Sequence, residues 1–465
     1  MSHSTLARRL SGGLLAALVL AACAFTPRVN ARQAKAIDFA ELDKAVEAEL
    51  KAGRTPGAAV AVVSGDRIVY AKGFGVTSAD VGGAAVTPDT LFRMGSTTKM
   101  FTATALVTLA SEGKIRLDAP IGNYVKNLPP KIAALTAHQL LSQSSGLRDF
   151  APTITSDDDA ALAKNIRAWT DDLFFTEPSK IYSYSSPNYW LAGFVVEELS
   201  GKSYSDAMRE LVFKPLGMTR TTLRPLEAMT YPLALGHNVE KEAAVVIRPA
   251  ANNVAKYPGG SIYSSVNELA RFAIAMMNGG RLEGRQALAP LVVEELPKPQ
   301  FYLPGEERAF YGYGLLGFES GGVKTVSHGG VSSGYGSTIF FAPDYKFAVI
   351  VLANRNGETL PRARQRAMEL ALPLKPDPPE QPKPQAPGAD EMRRYAGKYA
   401  HAPQTWEVFV KDGKLFLKED GKDFELTKLG RERFGYEQGE VLFVPDERGA
   451  IEHIFMGLYA ARRTQ

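Results

Sequence analysis

Cysteine is almost absent from this chain, which has a single one, Cys23, among its 465 residues. One cysteine has no partner within the chain, so intramolecular disulfides are excluded. Histidine is also scarce, and the six histidines are scattered without the H-E-x-x-H spacing of a metal hydrolase. We therefore expect no metal and no cofactor.

A large excess of one charge is missing as well. The formal net charge is +4 at pH 7, with 54 basic and 50 acidic residues, and this balance gives no support to nucleic-acid binding. With 45% hydrophobic and 22% charged residues the chain is globular. Its length suffices for one large domain and a smaller one.

The apolar run near the start, Leu14 to Ala22, is too short for a membrane-spanning helix. Arg8 and Arg9 precede it and small residues end it, so residues 1–23 are predicted to be an export signal. Its last four residues, LAAC, resemble a bacterial lipobox, in which the cysteine is lipidated. Ordinary cleavage at an A-x-A site around Cys23 is the alternative. We expect an exported, periplasm-facing membrane lipoprotein.

Composition changes sharply late in the chain, where the stretch PLKPDPPEQPKPQAPG (373–388) contains seven prolines. Such a segment is typical of a semi-rigid extended linker at a domain boundary. The predicted organisation is a signal at 1–23, a spacer at 24–37, a first domain at 38–372, a linker at 373–390 and a second domain at 391–465.

The first domain has strand patterns at both of its ends. Asp38 to Gly53 has the apolar spacing of a helix, and Gly57–Val63 with Ile68–Phe74 reads as a β-hairpin. A second strand pair is predicted at Ser337–Phe341 and Phe347–Ala353. This order predicts an α+β domain with one antiparallel sheet backing a helical region. Further helices are predicted at Thr136–Ser142, Pro187–Ser200, Ser203–Val212 and Val266–Asn278.

The second domain shows only strand patterns. Thr405–Lys411 and Lys414–Lys418 flank Asp412-Gly413, a strong hairpin signal. Similar short apolar runs continue to Phe455, which predicts a small antiparallel β domain. No chemistry is evident in this part of the sequence.

The stretch from Phe92 to Gly113 combines a buried-helix pattern with a candidate nucleophile in its first turn, Ser96. Lys99 lies three residues later, on the same helix face, so its amine can stand beside the serine hydroxyl. Burial among apolar neighbours would lower the lysine pKa enough to let it accept the serine proton. The unpaired N–H groups of a helix N-terminus can also stabilise an oxyanion.

A pattern with two fixed residues also arises by chance. Ser111 and Lys114 repeat it, but at the end of the predicted helix, where both side chains should be solvated. A catalytic pair needs a second proton-transfer group and a second oxyanion donor. Tyr184, just before a predicted helix, and His328-Gly329-Gly330, predicted just before a strand, are the candidates.

In this order the motifs resemble those of the serine β-lactamase and penicillin-binding protein superfamily. The resemblance is greatest to class C β-lactamases and their esterase and D-aminopeptidase-like relatives, and it spans most of residues 38–360. The matching segments are Ser96–Lys99 for S-x-x-K, Leu140–Leu147 (LLSQSSGL) for LLTHTSGL, Tyr184–Ser186 for Y-x-N, Lys214–Met218 (KPLGM) for PLGM, and His328–Gly330 for K-T-G or H-x-G.

The resemblance implies a β-lactamase-like fold and a role for each matching residue. Ser96 would be the nucleophile, Lys99 its proton acceptor or electrostatic partner, and Tyr184 the second acid/base. The backbone N–H groups of Ser96 and Val331 would form the oxyanion hole. The substrate, a small molecule or peptide, would be bound by Ser186, His328, Gly329 and Gly330. The second domain resembles the lipocalin-like domain appended to many relatives.

Two departures from the family pattern bear on the substrate. Ser186 replaces the family's asparagine and offers no amide, and His328 replaces a lysine whose charge would bind a carboxylate. We therefore favour an esterase or peptidase over an efficient β-lactamase. A non-catalytic or slowly turning over penicillin-binding envelope protein is the alternative.

A rival enzyme class starts from Gly330-Val331-Ser332-Ser333-Gly334, which fits the G-x-S-x-G motif. In an α/β hydrolase that serine lies on a turn from a strand to a helix. A strand is predicted to follow here, and this disfavours the rival.

Overall fold

The computed structural model describes residues 38–376 and 386–465. The predicted export signal with Cys23, the spacer and the middle of the proline-rich linker lie outside the described residues.

An eight-stranded sheet forms the centre of the first domain, and every pair of neighbouring strands in it is antiparallel. The hairpin near the start pairs directly with the last strand, with Ala58 opposite Ala353 and Ser64 opposite Phe347. The prediction of one antiparallel sheet built from both ends of the domain is confirmed. In sheet order the strands are Arg67–Gly75, Gly57–Ser64, Phe347–Ala353, Tyr335–Ala342, Val323–Ser332, Leu316–Ser320, Phe310–Tyr311 and Phe301–Tyr302.

Both faces of this sheet are covered by helices. Alternate side chains of the strand Gly57–Ser64 enter two different cores, which explains its unbroken run of small and apolar residues. On one face lie the helices Phe39–Gly53 and Pro361–Ala371. On the other face lie the helices Val266–Met277 and Thr98–Ser111, with the helical region behind them. The α+β class is thereby confirmed.

The helical region consists of short helices around two longer ones, Thr98–Ser111 and Ser186–Ser200. In the described parts of the chain, no helix is both long enough and apolar enough to cross a membrane. The other helices of this region are Pro130–Ala134, Ala137–Leu141, Ala161–Arg167, Tyr204–Met208, the π-helical turn Arg209–Phe213, Lys214–Leu216, Pro225–Ala228, Tyr257–Gly260 and Pro290–Glu295.

The predicted core helix with Ser96 in its first turn is present, but that turn is 3₁₀ rather than α-helical. Phe92 and Arg93 form a short strand, and a 3₁₀ turn, Gly95–Thr97, leads into the helix Thr98–Ser111. Gly95 has a positive φ of 56° and packs against the Val331 backbone, where a Cβ atom would lie 2.5 Å from the Val331 oxygen. Only glycine tolerates both conditions, so the chain turns sharply here before the helix begins.

The prediction that His328-Gly329-Gly330 lies before a strand is wrong. These residues lie inside the strand Val323–Ser332, with Gly330 opposite Ser337. Glycine is usually unfavourable in a strand, but here it allows close approach of another segment. A Cβ atom at Gly330 would lie 1.9 Å from the Met94 oxygen.

The second domain is a nearly closed antiparallel β-barrel of nine strands, called the barrel below. The helix Ala389–Tyr395 precedes it. The predicted hairpin at Asp412-Gly413 is present, with positive φ values of 52° and 74° that suit a tight turn. In sheet order the strands are Lys422–Glu425, Lys414–Glu419, Gln404–Lys411, Gly397–His401, Tyr459–Arg463, Ile451–Met456, Gly439–Pro445, Arg433–Tyr436 and Thr427–Gly430.

The barrel packs against the first domain through a shared apolar cluster. Tyr182 and Tyr311 of the first domain are buried with Phe455 of the barrel, and the rings of Tyr182 and Phe455 lie 6.0 Å apart. Burial of large aromatic side chains is a strong source of packing energy. The two domains therefore share an interface with its own core.

Glu197, in the helix Ser186–Ser200, makes the stability of the fold dependent on pH. Its Oε1 accepts the Tyr204 N–H at 3.0 Å, but its Oε2 is buried without a hydrogen-bond partner. Burial raises the pKa of this carboxyl from 4.5 to about 7. The folded state thus holds a proton that the unfolded state releases, so stability falls as pH rises from about 4.5 to about 7 and stays low above that.

We expect urea unfolding to show a loss of about 3 kcal/mol across this pH window, which Glu197→Gln largely removes. Glu210→Gln, at an exposed carboxylate ion-paired with Lys202, is the matched control and should keep the pH dependence. Equal pH slopes for Glu197→Gln and the unmodified protein would contradict the assignment.

Candidate active site

Ser96 and Lys99 meet as the helical spacing predicts. Ser96 lies in the 3₁₀ turn Gly95–Thr97 and is half-buried, whereas Lys99 is fully buried in the first turn of the helix that follows. The Lys99 Nζ lies 3.1 Å from the Ser96 Oγ and 2.8 Å from the Gly259 carbonyl oxygen. The amine is thus held within hydrogen-bonding distance of an accessible hydroxyl.

The surroundings of Lys99 are aromatic. Its Nζ lies 4.8 Å from the centre of the Tyr184 ring and 5.6 Å from that of Tyr189. Burial lowers the pKa of Lys99 from 10.5 to about 7, and the nearby Asp149 carboxylate opposes this shift. A substantial fraction of the amine is therefore neutral at pH 7 and can accept a proton.

Tyr184 also lies beside the serine and close to the Lys99 amine. Burial raises the pKa of this phenol well above 10, although the adjacent Ser96 hydroxyl lowers it in part. Tyr184 therefore keeps its proton at neutral pH. A basic lysine and a protonated tyrosine beside one hydroxyl form an acceptor and donor pair suited to proton transfer in both directions.

The two predicted oxyanion donors are brought together by close backbone packing. Val331, in the strand Val323–Ser332, lies directly against Gly95, the residue before Ser96. Next to this contact, the Ser337 hydroxyl lies 2.6 Å from the Thr97 hydroxyl, and this hydrogen bond ties the turn that carries Ser96 to the sheet. The Val331 side chain is 57% exposed and faces away from the core.

His328 is buried beside the Tyr184 ring, 6.2 Å away between ring centres. Its Nε2 lies 3.0 Å from the hydroxyl of Tyr311, a residue that no sequence motif singled out. Burial, with a smaller effect of Lys99, lowers the pKa of His328 to about 3. The imidazole is therefore neutral at physiological pH and supplies no positive charge to the site.

Ser186 begins the helix Ser186–Ser200, and its backbone N–H donates to Asp149 Oδ1 at 2.6 Å. Asn188, two residues later, does not replace the missing asparagine. Its amide nitrogen donates to Gln143 at 2.6 Å and its amide oxygen accepts from Ser145, so it binds the LLSQSSGL segment.

The barrel contributes backbone contacts that no sequence motif indicated. The Leu458 carbonyl accepts the Tyr184 N–H at 2.8 Å, and the Ala460 N–H donates to the Ser183 Oγ at 3.1 Å. The Tyr459 ring packs edge-on against the Tyr184 ring at 6.1 Å. The segment that carries Tyr184 is therefore held by the barrel.

His401 links the barrel to the loop that carries Asp149. Its Nδ1 donates to the Ala460 carbonyl at 2.7 Å, and its Nε2 accepts the Asp149 N–H at 2.9 Å. This pair of backbone partners requires the neutral ring, and burial lowers the pKa of His401 accordingly.

Comparison with known proteins agrees with this architecture. A family profile described as Beta-lactamase matches residues 42–372. The chain belongs to the β-lactamase family. Protein flp of Staphylococcus aureus strain N315 is 27% identical over 332 residues, covering 69% of this chain and 64% of that protein. This chain thus matches less than two thirds of that relative's length. Penicillin-binding protein 4 of Amycolatopsis lactamdurans is 28% identical over 312 residues, covering 64% of this chain and 81% of that protein.

Solved structures share the fold of this β-lactamase family member. SurE superposes with a TM-score of 0.74 at 22% identity, covering 91% of this chain and 99% of that one. The octameric penicillin-binding protein homologue from Pyrococcus abyssi superposes with a TM-score of 0.63 at 23% identity, covering 91% of this chain and 100% of that one. The class C β-lactamase from Rhodobacter sphaeroides superposes with a TM-score of 0.59 at 23% identity, covering 71% of this chain and 97% of that one.

The rival motifs lack the required geometry. Ser332 ends one strand of a hairpin whose other strand is Tyr335–Ala342, so it is not on a strand-to-helix turn. Ser111 and Lys114 are exposed at the end of their helix, as expected. Among the described residues, no group of three His, Cys, Asp or Glu side chains could hold a metal ion.

The lowered lysine pKa predicts how labelling of Ser96 depends on pH. Only the neutral Lys99 amine can take the serine proton, so the rate of labelling by a fluorophosphonate should rise with pH, with a midpoint near 7. Because the Asp149 carboxylate raises the Lys99 pKa, Asp149→Asn should move this midpoint to lower pH. Labelling rates from pH 5.5 to 8.5 test both; a flat profile would exclude Lys99 as the acceptor.

Two substitutions at His401 separate its contact with the loop from its contact with the barrel. His401→Asn keeps a donor for Ala460 but removes the acceptor of the Asp149 N–H, whereas His401→Gln can keep that acceptor. Loss of one such hydrogen bond is worth about 1 kcal/mol, so we expect His401→Asn to lower kcat about fivefold with little change in KM.

His401→Gln should recover most of that activity. The measurement is steady-state ester hydrolysis beside thermal unfolding of both variants. Equal losses in the two variants, or a loss that follows the melting temperature, would show that His401 acts only through stability.

Proposed function

We propose that this protein is a serine hydrolase that cleaves an ester or amide through an acyl-enzyme on Ser96. The observation that carries the proposal is the fully buried Lys99 amine, 3.1 Å from the Ser96 hydroxyl and with a pKa of about 7. Membership of the β-lactamase family supports serine hydrolysis in general.

In the proposed reaction the Ser96 oxygen attacks the substrate carbonyl carbon while its proton passes to the neutral Lys99 amine. The negative oxygen that forms accepts hydrogen bonds from the backbone N–H groups of Ser96 and Val331. Tyr184 donates its proton to the departing oxygen or nitrogen and regains one from the charged Lys99. Water then attacks the acyl-enzyme with the same groups in reverse, releasing the acid and restoring Ser96.

The electrostatics of the site favour an ester or peptide over efficient β-lactam hydrolysis. A β-lactam carries a carboxylate beside its reactive ring, and the neutral His328 offers it no charge, whereas an ester or an internal peptide bond needs none. Ser186 supplies no side-chain amide to the substrate, and its backbone N–H is engaged by Asp149. Acylation by β-lactams remains compatible with the Ser96 and Lys99 geometry.

The second candidate is a penicillin-binding envelope protein that is acylated but turns over slowly. The observation that favours it is again Ser186, since an incomplete substrate-binding motif would leave an acyl-enzyme poorly oriented for hydrolysis. The similarity to penicillin-binding protein 4 is compatible with it.

Intact-mass measurement on protein lacking residues 1–23 tests both candidates. We expect one adduct from a fluorophosphonate and one from a β-lactam, and both should be absent in Ser96→Ala. Release of the β-lactam adduct within minutes supports a hydrolase, and persistence for hours supports the penicillin-binding alternative. No adduct from either reagent on folded protein would overturn the Ser96 acyl-enzyme.

A further inference from the structure

A cavity of about 600 Å³ lies between the barrel and the loop that follows Leu147. The loop supplies one wall through Asp149 and Phe150, and the barrel supplies the rest. This volume lies within the range of small-ligand pockets. The reaction described above does not use this cavity.

The cavity adjoins the candidate active site. Tyr459, which lines it, packs against the Tyr184 ring. Asp149, also in its wall, accepts the Ser186 N–H and lies near enough to Lys99 to raise that amine's pKa. The cavity therefore shares Asp149 and Tyr459 with the surroundings of Tyr184 and Ser186, next to the candidate active site.

The charged side chains that line the cavity are all acidic. Asp149, Glu419 and Glu440 line it, and neither lysine nor arginine does. Glu440 is paired with Arg433 at 3.0 Å. Asp149 and Glu419 form no ion pair with any residue in the described ranges. The cavity thus holds two carboxylates that have no ion-pair partner among the described residues.

The positions of these two carboxylates are fixed by neutral donors. Glu419 accepts the Trp406 indole N–H at 3.0 Å and the Tyr436 hydroxyl at 3.3 Å. His401, which also lines the cavity, stays neutral because its two nitrogens are engaged by the Ala460 carbonyl and the Asp149 N–H. The Trp406 and Tyr436 hydrogen bonds orient the Glu419 carboxylate, and the Ser186 backbone N–H, at 2.6 Å from Oδ1, orients the Asp149 carboxylate.

Aromatic side chains form much of the remaining wall, namely Phe150, Trp406, Tyr436 and Tyr459. Aromatic faces attract organic cations, and Trp does so most strongly. A site that combines such faces with carboxylates without an ion-pair partner favours an alkylammonium group and repels a carboxylate or phosphate.

We propose that this cavity is the subsite for a positively charged ammonium group of the substrate. The proposal rests on the proposed function, because the bound group must belong to an ester or amide that Ser96 cleaves. Glu419 and Asp149 provide the negative charge, and the aromatic wall excludes water around the cation. The preferred substrate then carries an amine or quaternary ammonium away from its scissile bond.

Two matched ester series test the subsite. Each ester carries a terminal trimethylammonium group, its neutral isostere tert-butyl, or a sulfonate, on the acyl side in one series and on the alcohol side in the other. In at least one series we expect kcat/KM for the cation to exceed that for tert-butyl by about tenfold, with the sulfonate slowest.

Glu419→Gln keeps the shape of the side chain and should reduce this ratio to about twofold or less. Glu425→Gln makes the same charge change on the barrel, at an exposed carboxylate that pairs with Lys414 at 2.8 Å outside the cavity, and should leave the ratio intact. Two outcomes would overturn the subsite: Ser96-dependent hydrolysis with no preference for the trimethylammonium ester over the tert-butyl-terminated one, or a preference that Glu419→Gln does not change. Either would leave the proposed hydrolase activity intact.

If no ester is cleaved in a Ser96-dependent manner, the proposed function fails, and the cavity is tested by binding. Calorimetry with benzyltrimethylammonium chloride compares the unmodified protein with Glu419→Gln. Saturable binding that Glu419→Gln weakens severalfold would support the subsite, and absent or equal binding would overturn it.

Discussion

The burial of the Lys99 amine is the constraint on which the rest of the candidate site depends. A charged ammonium without solvent is costly, so the protein either neutralises it or surrounds it with acceptors. Here it has one carbonyl acceptor, from Gly259, and two aromatic rings. Gly259 cannot be replaced easily, because a Cβ atom there would lie 2.7 Å from the Trp190 indole nitrogen. The close packing that desolvates the lysine also fixes the serine beside it.

The same packing makes the barrel part of the site. The segment Ser183–Tyr184 receives one hydrogen bond from the barrel and gives one to it, and His401 holds the neighbouring Asp149 loop. An interface built from backbone hydrogen bonds and buried rings is rigid, which suits a group that must stay in line with a reacting hydroxyl. The shared aromatic cluster that contains Tyr182 further stabilises the packing of the barrel against the first domain.

The charges around the candidate site are distributed unevenly. Near Ser96 the titratable groups are held close to neutral, since the pKa of Lys99 is about 7 and that of His328 about 3. On the barrel side, Asp149 and Glu419 line the cavity and form no ion pair among the described residues. In the proposed hydrolase, the neutral His328 and the acidic lining of the neighbouring cavity both disfavour anionic substrates and favour cationic ones.

Local sequence rules predicted the elements whose character depends on nearby residues. The apolar spacing of Phe39–Gly53, the Asp412-Gly413 hairpin and the pairing of Ser96 with Lys99 all follow from helical or turn geometry within a few residues. The sharp turn before the serine helix was not predicted, because it depends on the positive φ of Gly95 and on its close packing against the Val331 backbone, which is distant in the sequence.

The sequence by itself determined the two-domain order, the α+β class and the positions of the serine, lysine and tyrosine motifs. The tertiary structure alone decided that Tyr311 contacts His328, that Leu458 holds Tyr184, and that Asp149 faces a cavity lined by the barrel. These contacts join residues far apart in the chain, some of them through backbone atoms that every residue type carries. No residue pattern marks such contacts, so only the folded chain reveals them.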